Sequence, residues 1–177
     1  MECYKTAVII SDATTYFCQK FKSYLTYKTY EQMIGAARSG KQNIVEGSMD
    51  SGTSKKTEFK LVGVARGSYE ELLEDFLDFL RQQRLQLWGK DDPRAVAIRR
   101  IAYKSDKSYA SYKTYIESKD AETAVNTIIC LIHQENYLLD QLLRSLEKAF
   151  MEKGGFTERL YKMRKEKKDG KLEKYDR

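Results

Sequence analysis

The sequence predicts an all-α protein, an up-and-down four-helix bundle with an inserted short helix and a basic C-terminal tail. One proline and ten glycines in 177 residues favour long helices over a β fold. Apolar residues recur at spacings of three and four along most of the chain, which is the pattern of one helix face. We therefore expect the bundle over residues 1–153, with an insertion at 90–118, and a basic suffix over residues 154–177.

The first two helices are predicted at residues 5–25 and from about residue 30 to Ser48. Thr29 and Gln32 fit a capping box at the start of the second helix, with Thr29 as its N-cap. On the first helix, apolar and small side chains share one face. These face residues are Ala7, Ile10, Thr14, Phe17, Phe21 and Leu25.

A turn at residues 50–53 separates the second helix from the third. Ser54 fits the N-cap of the third helix, whose apolar face continues to Leu87. Interior glycines such as Gly40 and Gly63 each cost about 1 kcal/mol relative to alanine, so we expect the two backbones to pack unusually closely. Polar side chains are then expected to hydrogen-bond across the contact. This predicted network consists of Arg38, Asn43, Glu46, Arg66, Ser68 and Glu71.

Within the insertion, Asp92 and Pro93 fit the N-cap and first position of a short helix over about residues 93–103. Residues 104–119 have weak periodicity and are predicted to be mostly irregular. Tyrosines and lysines alternate in this region, an arrangement that either stacks nucleic-acid bases or anchors the insertion on the bundle. They are Tyr103, Tyr109, Tyr112, Tyr115, Lys104, Lys107 and Lys113.

The longest helix is predicted from Asp120 to about Phe150, with one continuous apolar stripe, and Gly154 and Gly155 are expected to end it. The tail beyond holds seven Lys and Arg between residues 159 and 171, against two acidic residues. Two interpretations fit this tail, a short basic helix or a disordered segment.

The composition indicates a cytoplasmic protein that meets a polyanion. The formal net charge is +6 at pH 7. The cysteines Cys3, Cys18 and Cys130 lack C-x-x-C spacing, so they signal neither a disulfide framework nor a zinc site and fit reduced thiols. Neither a signal-peptide pattern nor a run of about 18 apolar residues is present in the sequence.

No catalytic constellation is evident. Residues 35–41 match the Walker A spacing, but Gln42 replaces the Ser or Thr that ligates magnesium, and the preceding residues are expected to be helical. His133 is the only histidine, so a catalytic relay has a single candidate base, and no Glu-x-x-His pair exists for a metal site in a bundle. We expect no enzyme activity, no cofactor and no metal.

Two stretches resemble a known family. Residues 36–48 (Ala-Ala-Arg-Ser-Gly-Lys-Gln-Asn-Ile-Val-Glu-Gly-Ser) pair with Ser54, with Glu58 and Phe59, and with residues 65–72 (Ala-Arg-Gly-Ser-Tyr-Glu-Glu-Leu). This pairing is similar to that of small bacterial four-helix bundles first met as open reading frames in intervening sequences of large-subunit ribosomal RNA genes. The same family includes the accessory variability protein of diversity-generating retroelements. The likeness covers about residues 5–88, and Gly-Gly-Phe at 154–156 resembles the suffix of one branch.

The resemblance implies a bundle that assembles into a ring, a pentamer, without catalysis, and that binds nucleic acid and, in retroelements, a reverse transcriptase. Together with the charge, it leads to the hypothesis of a self-assembling bundle that binds nucleic acid, with RNA as the expected ligand. The alternative is a protein-interaction adaptor for a larger enzyme such as a reverse transcriptase. The expected phosphate contacts are Lys41, Lys55, Lys56, Arg159, Lys162, Arg164, Lys165, Lys167 and Lys168.

Overall fold

The computed structural model describes residues 2–50, 55–104 and 106–153, together with residues 161, 164 and 165. Within this part of the chain the regular structure is entirely helical, which confirms the predicted all-α class. None of the helices in these ranges is long and apolar enough to cross a membrane. The helices are α1 (Glu2–Lys20), α2 (Tyr27–Asp50), α3 (Lys55–Gln82), α4 (Pro93–Ile101), α5 (Tyr109–Ile116) and α6 (Ala121–Lys153), with a 3-10 turn at Lys22–Tyr24.

The antiparallel pair α2 and α3 forms the largest helix contact. A Cβ built on Gly40 of α2 would meet the ring of Tyr69, well inside α3. Further along α2, a Cβ on Gly47 would meet Leu61, which lies nearer the start of α3. The end of α2 and the beginning of α3 therefore lie together, and we call this end of the molecule the hairpin end.

The helices α6 and α1 pack against this pair. The backbone N–H of Gln86, just after α3, donates to the carboxylate of Glu122 in the first turn of α6 (3.0 Å). Further along, Asp140 of α6 contacts Arg66 in the first half of α3 (3.1 Å). The α6 helix thus runs antiparallel to α3 and ends at the hairpin end. The α1 helix packs on α2 and α6, and its Phe17 ring contacts aromatic rings of α3.

The first two helices have boundaries that differ from the prediction. The α1 helix ends at Lys20, and a 3-10 turn follows it. The N-cap of α2 is Thr26, whose hydroxyl accepts a hydrogen bond from the backbone N–H of Thr29 (3.1 Å). The predicted capping box of Thr29 with Gln32 is wrong, because the helix begins at Tyr27 and Thr29 is already its third residue.

The α3 helix ends at Gln82 and does not continue to Leu87. Arg84 adopts a left-handed conformation with φ of 55°, and the N–H of Leu85 donates to the C=O of Leu80 (2.9 Å). This is a Schellman motif, which usually carries Gly or Asn at the left-handed position. Because arginine stands there instead, the stop could not be recognised in the sequence.

Residues 104–119 are not mostly irregular, since α5 spans Tyr109–Ile116. Ser108 and Ser111 form a capping box at its start. Tyr112 and Ile116, one helical turn apart, are fully buried. The prediction missed α5 because two buried side chains in eight residues give little periodicity, and serine replaces the Glu or Gln that usually completes the box.

The other predicted helix starts agree with the structure. Asp92 caps α4 by accepting from the backbone N–H of Arg94 (2.9 Å), with Pro93 at the first position. Asp120 accepts from the backbone N–H of Thr123 at the start of α6 (3.1 Å). Some predicted cap and turn residues lie outside the described residues, namely 51–53, Ser54, Gly154 and Gly155.

The glycines of α2 and α3 are of two kinds. A Cβ on Gly40 would come within 2.6 Å of the buried Tyr69 ring, and one on Gly47 would be 3.4 Å from Leu61. Close packing of the two helices therefore explains Gly40, whereas a Cβ on Gly47 would make only an ordinary van der Waals contact. The prediction is wrong for the exposed glycines, where a Cβ would meet nothing within 4 Å; they are Gly35, Gly63 and Gly67.

Candidate nucleic-acid interface

Exposed lysines lie on the first two turns of α3, at the hairpin end. Lys56 and Lys60 are four residues apart and share one helix face with Phe59, which is 44% exposed. Neither lysine has an acidic partner among the described residues. Lys55 differs, because its Nζ lies 2.7 Å from the carboxylate of the buried Glu58. Sequence reasoning missed Lys60, although its spacing from Lys56 was the signal that could have found it.

The other predicted phosphate contacts do not all join this group. Lys41 is half-buried and lies nine residues before the end of α2, about 14 Å from it along the helix axis. Arg164 and Lys165 are exposed. Arg144 of α6, which was not predicted, is exposed one turn beyond Asp140, towards the hairpin end. The remaining predicted contacts lie outside the described residues; they are Arg159, Lys162, Lys167 and Lys168.

The second half of α3 is acidic. Ion pairs with Arg66 and Arg81 neutralise only two of the acidic side chains between residues 70 and 78. Burial, followed by the charges of two neighbouring carboxylates, raises the pKa of Asp75 to about 6. This half of α3 repels a polyanion, so only its hairpin end attracts one. The acidic residues are Glu70, Glu71, Glu74, Asp75 and Asp78.

The predicted polar network forms only in part between α2 and α3. Asn43 and Ser68 meet through Ser39, whose hydroxyl oxygen lies 3.0 Å from Ser68 Oγ and 3.3 Å from the Asn43 amide nitrogen. Arg66 lies two residues before Ser68, which places its side chain about 200° around the helix from that of Ser68. It therefore faces α6, where it pairs with Asp140. Three members are exposed and make no hydrogen bond or ion pair with described residues; they are Arg38, Glu46 and Glu71.

A carboxyl group is buried where α6 meets α1 and α3. Glu135 is 0% exposed, and neither of its oxygens has a hydrogen-bond partner among the described residues. Burial raises its pKa to about 9, although the positive charge of Lys107 opposes the shift. Glu135 is therefore protonated at pH 7 and adds no negative charge. A glutamate followed by Asn136 and Tyr137 carries no sequence signal of burial.

The tyrosines of the insertion mainly anchor it on the long helices. Tyr112 is fully buried, and Tyr109 and Tyr115 are partly buried against the core. Only Tyr103, which is 89% exposed, stands free for stacking. Lys107 is largely buried in an ion pair with the first turn of α1. The insertion therefore offers no continuous stacking surface, and the anchoring interpretation is correct for three of the four tyrosines.

A cleft of about 760 Å³ lies between α4, α6 and the segment that follows α3. Trp88 forms part of its wall: its backbone N–H donates to Asn126 Oδ1 (2.8 Å), and its indole N–H donates to Glu122 (3.1 Å). The Arg94 guanidinium lies 4.4 Å from the centre of the indole ring. Sequence reasoning missed this cleft because it extended α3 to Leu87. A lone tryptophan just before a glycine was the available signal.

Neither a metal site nor a nucleotide loop is found within the described ranges. They contain no group of three or more His, Cys, Asp or Glu side chains placed to hold a metal. Residues 35–41, with the Walker A spacing, lie inside α2 and do not form a loop. Comparison with known proteins gives no match to a family model, a curated protein or a solved structure.

Proposed function

We propose that this protein is a non-enzymatic, self-assembling, up-and-down four-helix bundle that binds nucleic acid, RNA foremost, in the cytoplasm. The observation that carries the proposal is the exposed face formed by Lys56, Phe59 and Lys60 at the hairpin end. Lysines without acidic partners neutralise phosphates, and an exposed aromatic ring stacks on a base. Such contacts position a strand without reading its sequence, so binding is expected to depend on charge more than on base order.

The distribution of charge also favours nucleic-acid binding at the hairpin end. The α6 helix ends there, and the chain that follows carries the basic residues between 159 and 171. Arg144 adds exposed positive charge on the last turns of α6. The acidic residues 70–78 lie towards the opposite end of α3. A polyanion approaching the molecule is therefore steered to the hairpin end.

The surface of α3 next to the lysines supports self-association. Val64 is 45% exposed. Gly63 and Gly67, on the same stretch of helix, leave open space above the backbone. A second helix can approach such a surface closely and bury Val64, while Phe59 stays free to stack on a base. The family resemblance implies that the assembly is a ring of five.

The double variant Lys56→Gln/Lys60→Gln is expected to weaken RNA binding and to lower the slope of log affinity against log salt by about 1.4 to 1.8, since each lost phosphate contact contributes about 0.7 to 0.9. Fluorescence anisotropy with a labelled RNA hairpin measures this slope. The matched control is Lys22→Gln/Lys28→Gln, which removes the same charge from exposed lysines near the opposite end. If both double variants weaken binding equally, net charge rather than this face determines affinity.

The apolar surface of α3 also favours a second candidate function, an adaptor that holds a larger enzyme such as a reverse transcriptase. Phe59 and Val64 would then contact the enzyme, and the positive charge would support the nucleic acid of that enzyme. The adaptor differs from the first proposal in one measurable way. The isolated assembly would bind no RNA, and binding would appear only with the partner enzyme present.

A further inference from the structure

The cleft between α4 and α6 lies away from the lysine face of α3. Its floor follows α6 from Asn126 to Leu138, a length of about 18 Å. Its volume of about 760 Å³ falls within the range of small-molecule sites. Ile129 and Ala95 contribute buried apolar surface to it. The size and lining are typical of a site for an apolar molecule of moderate size.

The wall of this cleft is rigidly built. Asn126 of α6 donates to the carbonyl of Gln86 (2.9 Å) and accepts from the backbone N–H of Trp88 (2.8 Å). Glu122 accepts from the indole nitrogen (3.1 Å), and Arg94 covers the indole ring. These contacts hold the extended segment around Gln86 and Trp88 against α6, although that segment belongs to no helix or sheet. A site with such a wall requires little rearrangement when it is filled.

The charged groups of the cleft leave an excess of positive charge. Lys107 is compensated, because its Nζ lies 3.0 Å from the Glu2 carboxylate. Arg99 and Lys90 have no acidic partner among the described residues. One guanidinium nitrogen of Arg99 donates to the carbonyl of Lys90, which fixes the side chain at the cleft. The guanidinium has four further N–H groups with which to bind an anion.

We propose that this cleft binds a small amphipathic anion, with an apolar body and one acidic group such as a carboxylate or sulfonate. Arg99 pairs with the acidic group, since a planar guanidinium binds such an oxygen pair through two hydrogen bonds. The apolar body lies along α6 over Ile129, beside Trp88 and the exposed Tyr137. This site is independent of the proposed nucleic-acid interface.

The chemistry of the cleft disfavours other occupants. A nucleic-acid strand would bring several phosphates over a largely apolar lining that has two uncompensated cations. The basic residues between 159 and 171 carry the same sign of charge as Arg99 and Lys90. A single negative charge on an apolar body matches both the lining and the charge of the cleft.

The test uses the full-length protein and 8-anilinonaphthalene-1-sulfonate, a fused aromatic sulfonate. Trp88 is the only tryptophan and lines the cleft, so its emission reports on a probe bound in or near it, and the variants below assign the binding to the cleft itself. We expect saturable binding of one probe per chain with loss of Trp88 emission. The Arg99→Gln variant is expected to bind the probe about tenfold more weakly, because a hydrogen-bonded charge pair is lost.

Arg100→Gln is the matched control. Arg100 is the residue next to Arg99 in the chain, its side chain is exposed, and it does not line the cleft. It is expected to bind the sulfonate as the unchanged protein does. The uncharged analogue N-phenyl-1-naphthylamine is expected to bind both variants equally well. The proposal would be overturned if both variants lost affinity for the sulfonate to the same extent, or if the sulfonate bound without changing Trp88 emission.

If Arg99→Gln does not fold, Tyr137→Ala replaces it as the test. Tyr137 lines the cleft, so removing its side chain is expected to weaken the binding of both probes. Because this side chain is 62% exposed, the fold should be retained. Tyr27→Ala, at an exposed tyrosine of α2 outside the cleft, is the control. Unchanged affinity in Tyr137→Ala would also contradict the proposal.

Discussion

Replacing Glu135 with glutamine is expected to stabilise the fold by about 3 kcal/mol at pH 7. Burial raises the pKa of this carboxyl group from 4.5 to about 9, so folding at neutral pH has to add a proton to it. Glutamine has nearly the same shape and is neutral in both states. Neither oxygen of Glu135 has a hydrogen-bond partner among the described residues, so no hydrogen bond described there is lost.

The same substitution is expected to change the pH dependence of stability. Between pH 4.5 and about pH 9 the folded protein holds a proton that the unfolded chain has released. Each unit of rising pH in this range therefore lowers the free energy of unfolding by about 1.4 kcal/mol, and Glu135→Gln removes this slope. Chemical denaturation between about pH 7 and 8 isolates the effect, because Asp75 in the fold (pKa about 6) and the cysteine thiols in the unfolded chain (pKa 9.0) titrate outside this window.

The exposed Glu46→Gln serves as the control, and it should keep the slope of the unchanged protein. A stability that does not change with pH in this window, together with no gain in Glu135→Gln, would show that the carboxyl group is ionised in the fold.

Replacing Gly40 with alanine is expected to destabilise the protein by about 2 kcal/mol, although alanine is the better helix former. The new methyl group would lie 2.6 to 2.9 Å from three carbon atoms of the Tyr69 ring. That ring is fully buried and cannot move into solvent. Either the ring or the α2 backbone must shift, and the contact between α2 and α3 loosens.

Gly35→Ala is the matched control on the same helix. A methyl group there meets nothing within 4 Å, so the variant is expected to gain about 0.5 to 1 kcal/mol of stability. Urea denaturation of both variants measures the difference. In a Tyr69→Leu background the cost of Gly40→Ala should largely disappear. An equal gain from both alanines would contradict the close contact between α2 and α3.

Periodicity predicted the long helices because each buries one continuous stripe, as on α6 with Ile128, Ile132 and Leu139. It failed where a single interaction decides the local structure. The stop after α3 depends on a left-handed arginine, Arg84, and the start of α5 depends on a serine capping box. Such features have no strong residue signature, so they became visible only in three dimensions.

The candidate sites were harder to predict than the helices. Lys55 and Lys56 of α3 were identified from their place beside the turn that precedes it, and Lys60 was missed. Sequence alone could not show that Glu58 neutralises Lys55 or that Lys41 lies apart from them. The cleft at Trp88 depends on Asn126, which is 38 residues away in the chain. Contacts of this range are set by tertiary packing and leave no periodic trace in the sequence.

The central claim, binding of nucleic acid by an assembled bundle, is tested most directly by titrating the full-length protein into a labelled RNA hairpin and a random single strand at several salt concentrations. Light scattering on the same sample gives the mass of the assembly. We expect an oligomer with submicromolar affinity for RNA and a log-log salt slope of several units, since each phosphate contact contributes about 0.7 to 0.9. An assembled oligomer that binds neither strand at low salt would contradict the claim and favour the adaptor.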